Sequence, residues 1–175
     1  MPVSPSFTRA AGTLGAFLLL LPSLSCAPRA TYSDGIFRQG EVAFRVGPLP
    51  ADWQRIGSRG ARLAFRHRQG GTLIVNAECP PPDDAPLDVL TNHLLFGLSA
   101  RKEVARRSLT LDGREALRTE VTAELDGVPI ALDLVVLKKD GCLYDLQLAA
   151  APATLSQRQP DFTNFVSAFS ALPGR

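Results

Sequence analysis

From Glu41 the chain breaks into short runs in which apolar and polar residues alternate. Val42, Phe44 and Val46 share one face, with Ala43 and Arg45 opposite, and Gly47-Pro48-Leu49-Pro50 ends the run. After Trp53, Leu63 and Phe65 alternate with Arg62, Ala64 and Arg66 up to a turn at Gly70-Gly71. Residues 72–79 are fairly apolar on both faces, which predicts a strand inside a sheet rather than at its edge. Alternation bounded by turn formers marks half-buried strands.

The period then changes. Pro80-Pro81-Pro82-Asp83-Asp84 is a stiff connector, and Asp84 is placed to cap a helix entered through Pro86. Leu87, Leu90, Leu94 and Leu98 recur at helical spacing, with Leu95 beside them, so this helix buries one stripe. Three Asp-Gly pairs follow at nearly equal spacing: Asp112-Gly113, Asp126-Gly127 and Asp140-Gly141. Asp-Gly between alternating runs signals a tight hairpin, because both turn positions tolerate positive φ. The predicted strands are 104–111, 115–125, 128–137 and 143–149. In the second of them Leu117, Thr119, Val121, Ala123 and Leu125 face the core, while Arg118, Glu120, Thr122 and Glu124 face water. A last helix is predicted to open at Pro160-Asp161, with Phe162, Phe165, Val166, Phe169 and Leu172 on one apolar stripe. Three phenylalanines on one helix face need a sheet to cover. The fold class is α+β: an antiparallel sheet with a helix inserted mid-chain and another at the end.

The segment before this domain reads as an export leader. Arg9 gives a weakly basic start, and an apolar run extends from Leu14 to Leu24, broken by Pro22. The run is about half of the ~20 apolar residues that span a bilayer, so it suits a signal peptide rather than a permanent helix. Ser23-Leu24-Ser25-Cys26 offers small residues at a cleavage site and resembles a lipobox, in which the cysteine becomes a lipidated N-terminus. Lipoboxes carry leucine at minus three; here Leu24 stands at minus two. The alternative is a secreted, unanchored chain. Residues 1–25 are thus read as a signal peptide, 26–40 as a lipid-anchored tether and 41–175 as one domain. With Cys26 lipidated, Cys79 and Cys142 remain, and an oxidising compartment invites a bridge between them; two buried free thiols are the alternative.

Composition excludes more than it selects. With the leader's Arg9 set aside from the 19 basic residues, 18 stand against 17 acidic ones. A domain so nearly neutral has no electrostatic case for nucleic acid. Arginines cluster at Arg55, Arg59, Arg62, Arg66 and Arg68, and basic residues again at Arg101, Lys102, Arg106 and Arg107. Such runs are either solvated faces or contacts for a partner or anionic headgroups. The two histidines, His67 and His93, have no His-x-x-x-His or Cys-x-x-Cys spacing that would hold a metal. There is no Gly-x-Ser-x-Gly elbow and no phosphate loop. Asp133 and Asp145 lie in predicted strands, where carboxylates face solvent or pair with arginine; an acid–base pair is the catalytic alternative. Trp53 reads as a core plug or as an exposed interaction anchor.

The segment from Phe44 to Trp53, FRVGPLPADW, is similar to the opening strand and Pro-x-x-Trp turn of PsbP-like domains. The order of elements from Glu41 to Leu172 resembles the same superfamily, down to a terminal helix with a Phe-x-x-Phe-Val-x-x-Phe pattern. That superfamily includes a Ran-binding transport factor, bacterial envelope lipoproteins and chaperones of secreted effectors. The resemblance implies an α/β/α sandwich without catalysis or cofactor, acting in protein binding or assembly. The expectation is therefore a non-enzymatic lipoprotein facing the periplasm, anchored by lipid and bound to an envelope protein. A carrier or sensor of an apolar ligand is the alternative, and a hydrolase with an unrecognised site the remote one.

Overall fold

The computed structural model describes residues 29–81 and 84–174. The leader, Cys26 and residues 27 and 28 lie outside them. Eleven strands and two helices are found among the described residues. Strands β1 (Thr31–Ser33), β2 (Ile36–Gln39) and β3 (Val42–Arg45) form an antiparallel sheet that β11 (Ser170–Leu172) closes. The larger sheet has seven strands in the order β4-β5-β6-β10-β9-β8-β7. These are β4 (Trp53–Ile56), β5 (Leu63–His67), β6 (Thr72–Glu78), β7 (Ser99–Leu111), β8 (Arg114–Leu125), β9 (Val128–Lys139) and β10 (Cys142–Ala150). Every adjacent pair is antiparallel.

The predicted hairpins turn where Asp-Gly stands. Asp112, Asp126 and Asp140 take φ near 50° and the glycines after them take φ between 73° and 79°, the left-handed pair that matches the twist of the flanking strands. A fourth pair, Asp34-Gly35, does the same between β1 and β2. Residues 31–39, expected as tether, are therefore strands, and Phe37 among them is fully buried and stacked on Phe44 with ring centroids 4.9 Å apart.

Helix α1 (Leu87–His93) lies over β8 and β9 on one face of the large sheet. It is shorter than its leucine stripe suggests. Beyond His93 the turns tighten to bonds three residues apart, from the Leu94, Leu95 and Phe96 N–H groups to the carbonyls of Thr91, Asn92 and His93. Leu95 still reaches the core with Val121, Ala123, Leu132 and Leu134. Asp84 does not cap this helix, since no side chain bonds its first turn; it pairs instead with Lys138 at 2.7 Å.

Helix α2 (Leu155–Ser167) covers the opposite face over β9 and β10. It opens five residues before the expected start and carries Pro160 inside. Tertiary contacts hold that first stretch. Leu155 packs on the core, and buried Arg158 donates to the Gly70 carbonyl at 3.3 Å and to Gln69 at 3.2 Å. The helix ends before Leu172, which pairs with Ala43 in β11. Phe162 and Phe165 are fully buried, each adding about 1.5–3 kcal/mol of apolar burial. Gly47 lets α2 come this close: a Cβ there would strike the Asn164 carbonyl, and its N–H donates to the Phe165 carbonyl at 2.9 Å. The molecule is thus an α/β/α sandwich, with the small sheet sharing the α2 side. No helix among the described residues is long and apolar enough to cross a membrane.

Cys79 and Cys142 are bonded to each other where β6 ends and β10 begins, with their Cα atoms 4.4 Å apart. The bridge closes a sequence separation of 63 residues, which by loop entropy is worth about 4 kcal/mol. Replacing both by serine is expected to lower the unfolding free energy by about 2–4 kcal/mol, read as a reduced urea midpoint.

Candidate functional site

Strand register decides which polar residues meet. Glu120 pairs with Asp133 and Arg118 with Val135, so these four share the face under α2. Leu117, Val121 and Leu132 share the face under α1. Arg118 and Glu120, expected to face water, are therefore turned toward a helix. Arg118 is buried, whereas Leu125, expected in the core, is 46% exposed at the hairpin tip.

Because α2 packs on β9 and β10, a groove of about 510 Å³ opens between it and β7–β8, lined by Arg107, Arg118, Glu120, Ser156, Gln159 and Thr163. Its floor is an ion pair. Fully buried Asp133 accepts from Arg118 Nε at 2.8 Å and Nη2 at 2.6 Å, a two-pronged bond. Gln159 Nε2 donates to Asp133 at 3.2 Å and to Glu120 at 3.0 Å. Arg118 Nη2 also donates to Thr163 Oγ1 at 3.2 Å, and Arg107 reaches Glu120 at 3.4 Å. The guanidinium lies 5.5 Å from the centre of the Phe162 ring. The bond to Asp133 pushes the Arg118 pKa up against the opposing pull of burial. The groove's charged side chains are engaged with one another, which leaves hydrogen-bond donors and acceptors rather than a lone charge at its rim.

Asp145 is on the other face: Asp133 pairs with Leu148, three residues along β10. The two carboxylates therefore cannot form an acid–base pair. Asp145 is buried among neutral partners, with Asn76 Nδ2 at 3.1 Å and Gln147 Nε2 at 2.6 Å on the same oxygen. Burial pushes its pKa above the ordinary 3.8, with Glu78 adding to the rise and the two amide bonds opposing it.

A second cleft of about 570 Å³ lies between the two sheets, lined by Tyr32, Val46, Leu49, Trp53 and Phe65, with Arg45 and Asp34 also on its wall. Trp53 is only 6% exposed and its indole donates to Asp161 at 2.8 Å. It joins β4 to α2 as a core plug, leaving almost no surface for an interaction anchor. His67 is buried against it, with ring centroids 5.1 Å apart, and its Nδ1 accepts the Gln69 N–H at 3.0 Å. No three metal-ligating side chains converge, and no hydroxyl or thiol is hydrogen-bonded to a histidine, among the described residues.

The arginine cluster divides. Arg68 pairs with Asp52. Arg62 is half-buried and donates to the Ala77 carbonyl and to Gln39, both at 3.0 Å. Arg66 and Arg55 are exposed on neighbouring strands, paired with Gln54 and Phe65 respectively and so on opposite faces. Arg59 is exposed on the β4–β5 loop. Of the second cluster, Arg106 pairs with Glu103 at 2.7 Å and Arg107 enters the groove. Asp133 meets the expectation of pairing with an arginine, but that arginine is Arg118, which the alternation of β8 assigns to water.

No protein-family model and no curated protein sequence matches the chain. Solved structures do. A cyanobacterial PsbP from Synechocystis aligns with a TM-score of 0.52 at 14% identity, over 92% of this chain and all of that one. The fold is PsbP/Mog1-like. A variant of Mog1 aligns with a TM-score of 0.55 at 8% identity, over 83% of this chain and 96% of that one. LpqN, a Mycobacterium tuberculosis protein involved in cell envelope biogenesis, gives 0.53 at 16% identity, over 75% and 86%. At such identities the likeness concerns the fold, which fits many functions.

Two outcomes test the buried polar groups. Asp133→Asn strands the Arg118 charge and is expected to cost about 3–5 kcal/mol; Arg118→Met with Asp133→Leu costs less than the sum of the single changes, measured by urea unfolding of all three. For Asp145, the unfolded chain gives up its proton at lower pH than the folded one, so stability falls as pH rises above 3.8. Asp145→Asn keeps both donors and removes that fall: melting between about pH 4 and about pH 8 should show the variant gaining most at the upper end.

Proposed function

We propose that the chain is an exported, non-enzymatic protein, acylated at Cys26, whose domain binds another protein of the bacterial envelope from the periplasmic side. The bond between Cys79 and Cys142 carries this reading. Disulfides persist in oxidising compartments, which agrees with the leader. The bridge also consumes two of the three cysteines, leaving Cys26 at the end of the leader's apolar run as the one outside it. Several acyl chains hold far more firmly than one, because each buried CH2 adds about 0.8 kcal/mol. The α2–β7 groove, lined by Arg107, Glu120, Gln159 and Thr163, supplies a polar surface of the kind that recognises a protein segment.

A second reading is supported by the cleft lined by Tyr32, Leu49, Trp53 and Phe65, whose volume lies within the range of small-ligand sites. It would make the domain a carrier or sensor of an apolar ligand. Native mass spectrometry of the purified protein decides between them, since a co-purifying lipid favours the second.

The protein extracted from membranes is expected to show the mass of a chain that begins at Cys26 and bears acyl groups; an unmodified Cys26 sinks the anchor. Cross-linking in intact membranes is expected to recover one reproducible envelope partner, and Arg107→Glu with Gln159→Ala to reduce that recovery severalfold.

A further inference from the structure

The sheet begins closer to Cys26 than a tether would allow. Only Ala27, Pro28, Arg29 and Ala30 separate Cys26 from Thr31, the first residue of β1. At full extension the link from Cys26 to Thr31 spans about 17 Å. With an acyl group at Cys26, the entry point of the domain lies within that reach of the membrane surface. The entry point is defined by a cleft of about 260 Å³ in which Ala30 lies beside Gln39, Arg55, Ser58 and Arg62.

This end is equipped for an anionic surface. Arg55 is exposed and lies over the half-buried Tyr32 ring, 5.4 Å from its centre, which holds the guanidinium at the entry point. Arg59 stands exposed on the Gly57–Gly60 loop beside it, and Arg29 is exposed where the chain arrives. None of the ion pairs among the described residues engages Arg55 or Arg59. Glu78, where β6 ends, and Glu41, two residues from Gln39, are exposed at the same end. A guanidinium binds phosphate through a planar fork of donors, and a tyrosine beside it suits the interfacial zone.

We propose that this end of the domain, through Arg55 and Arg59, rests on the anionic phospholipid headgroups of the membrane that carries the chain. The contact fixes the orientation of the domain. It also places α2 and the groove beside it on a body held at a set attitude rather than on a free tether. The proposal rests on acylation at Cys26, and its test is separable from that reading.

The test uses the chain from residue 26 onward with Cys26→Ala, which has no acyl group, and vesicles of phosphatidylcholine with or without about one third phosphatidylglycerol. Sedimentation is expected to show binding only to the anionic vesicles, weakening steeply between about 0.05 and 0.5 M salt. Arg55→Glu with Arg59→Glu should lower that affinity at least about tenfold, while Arg66→Glu, one reversed charge on the opposite sheet face, changes it little. Absence of binding, binding indifferent to phosphatidylglycerol, or an equal loss in Arg66→Glu would overturn the proposal. An acylated native chain with no vesicle binding sinks this contact alone, and vesicle binding by a chain whose native form lacks acyl groups sinks the anchor alone.

Discussion

Helix α2 lies on one face of β9 and helix α1 on the other, so residues 131–137 are all buried. A strand in that position has no solvent side on which to place a charge. Any polar residue there must find a partner within the protein or remain neutral, because an unpaired buried charge costs more than folding can spare. Asp133 meets that demand with a cation: Arg118 binds it with two prongs, and Gln159 from α2 completes the shell. The ion pair thereby ties helix to sheet at one position and along one register.

Asp145 meets the same demand differently. It stands on the opposite face of the adjacent strand with two amides and no cation, and its carboxyl is pushed toward the neutral form. The two aspartates lie in neighbouring strands, yet one is held by a cation and the other by amides alone. Both arrangements follow from covering a sheet on two sides, and the groove beside α2 exists because the helix packs on β9 and β10 and leaves β7 and β8 open beside it.

That asymmetry also bears on function. The end of the sheet where β1 enters carries Arg55, Arg59 and Tyr32, while the α2–β7 groove is a separate surface. On the proposed membrane contact, the second surface stays open to a partner. The phenylalanines of α2, the apolar faces of β3, β6, β9 and β10, and the glycine at which α2 approaches β3 all serve the core, and none of them lines that groove.

Much of the fold was legible in the sequence because its signals are local. Asp-Gly at 112, 126 and 140 needs no distant partner to favour a left-handed turn. The alternation in β8 announces a strand wherever it packs. Asp34-Gly35 carries the same signal, yet strands of three and four residues are too short for alternation to declare them, and the sequence suggests a tether there. Alternation also separates two faces without saying that both are covered, so Arg118 and Glu120 were assigned to water. Pro160 suggests the start of α2 because proline favours a first turn, whereas Arg158 and Leu155, bound to distant groups, extend the helix backward. The sequence by itself determined the turns, the strand order of the meander, the two helices and the candidate anchor at Cys26, all set by contacts within a few residues. Only the tertiary structure decided the pairing of Arg118 with Asp133, the seat of Trp53 and which arginines stay exposed. Those depend on register and on which face a helix covers, and both are properties of packing between segments far apart in the chain.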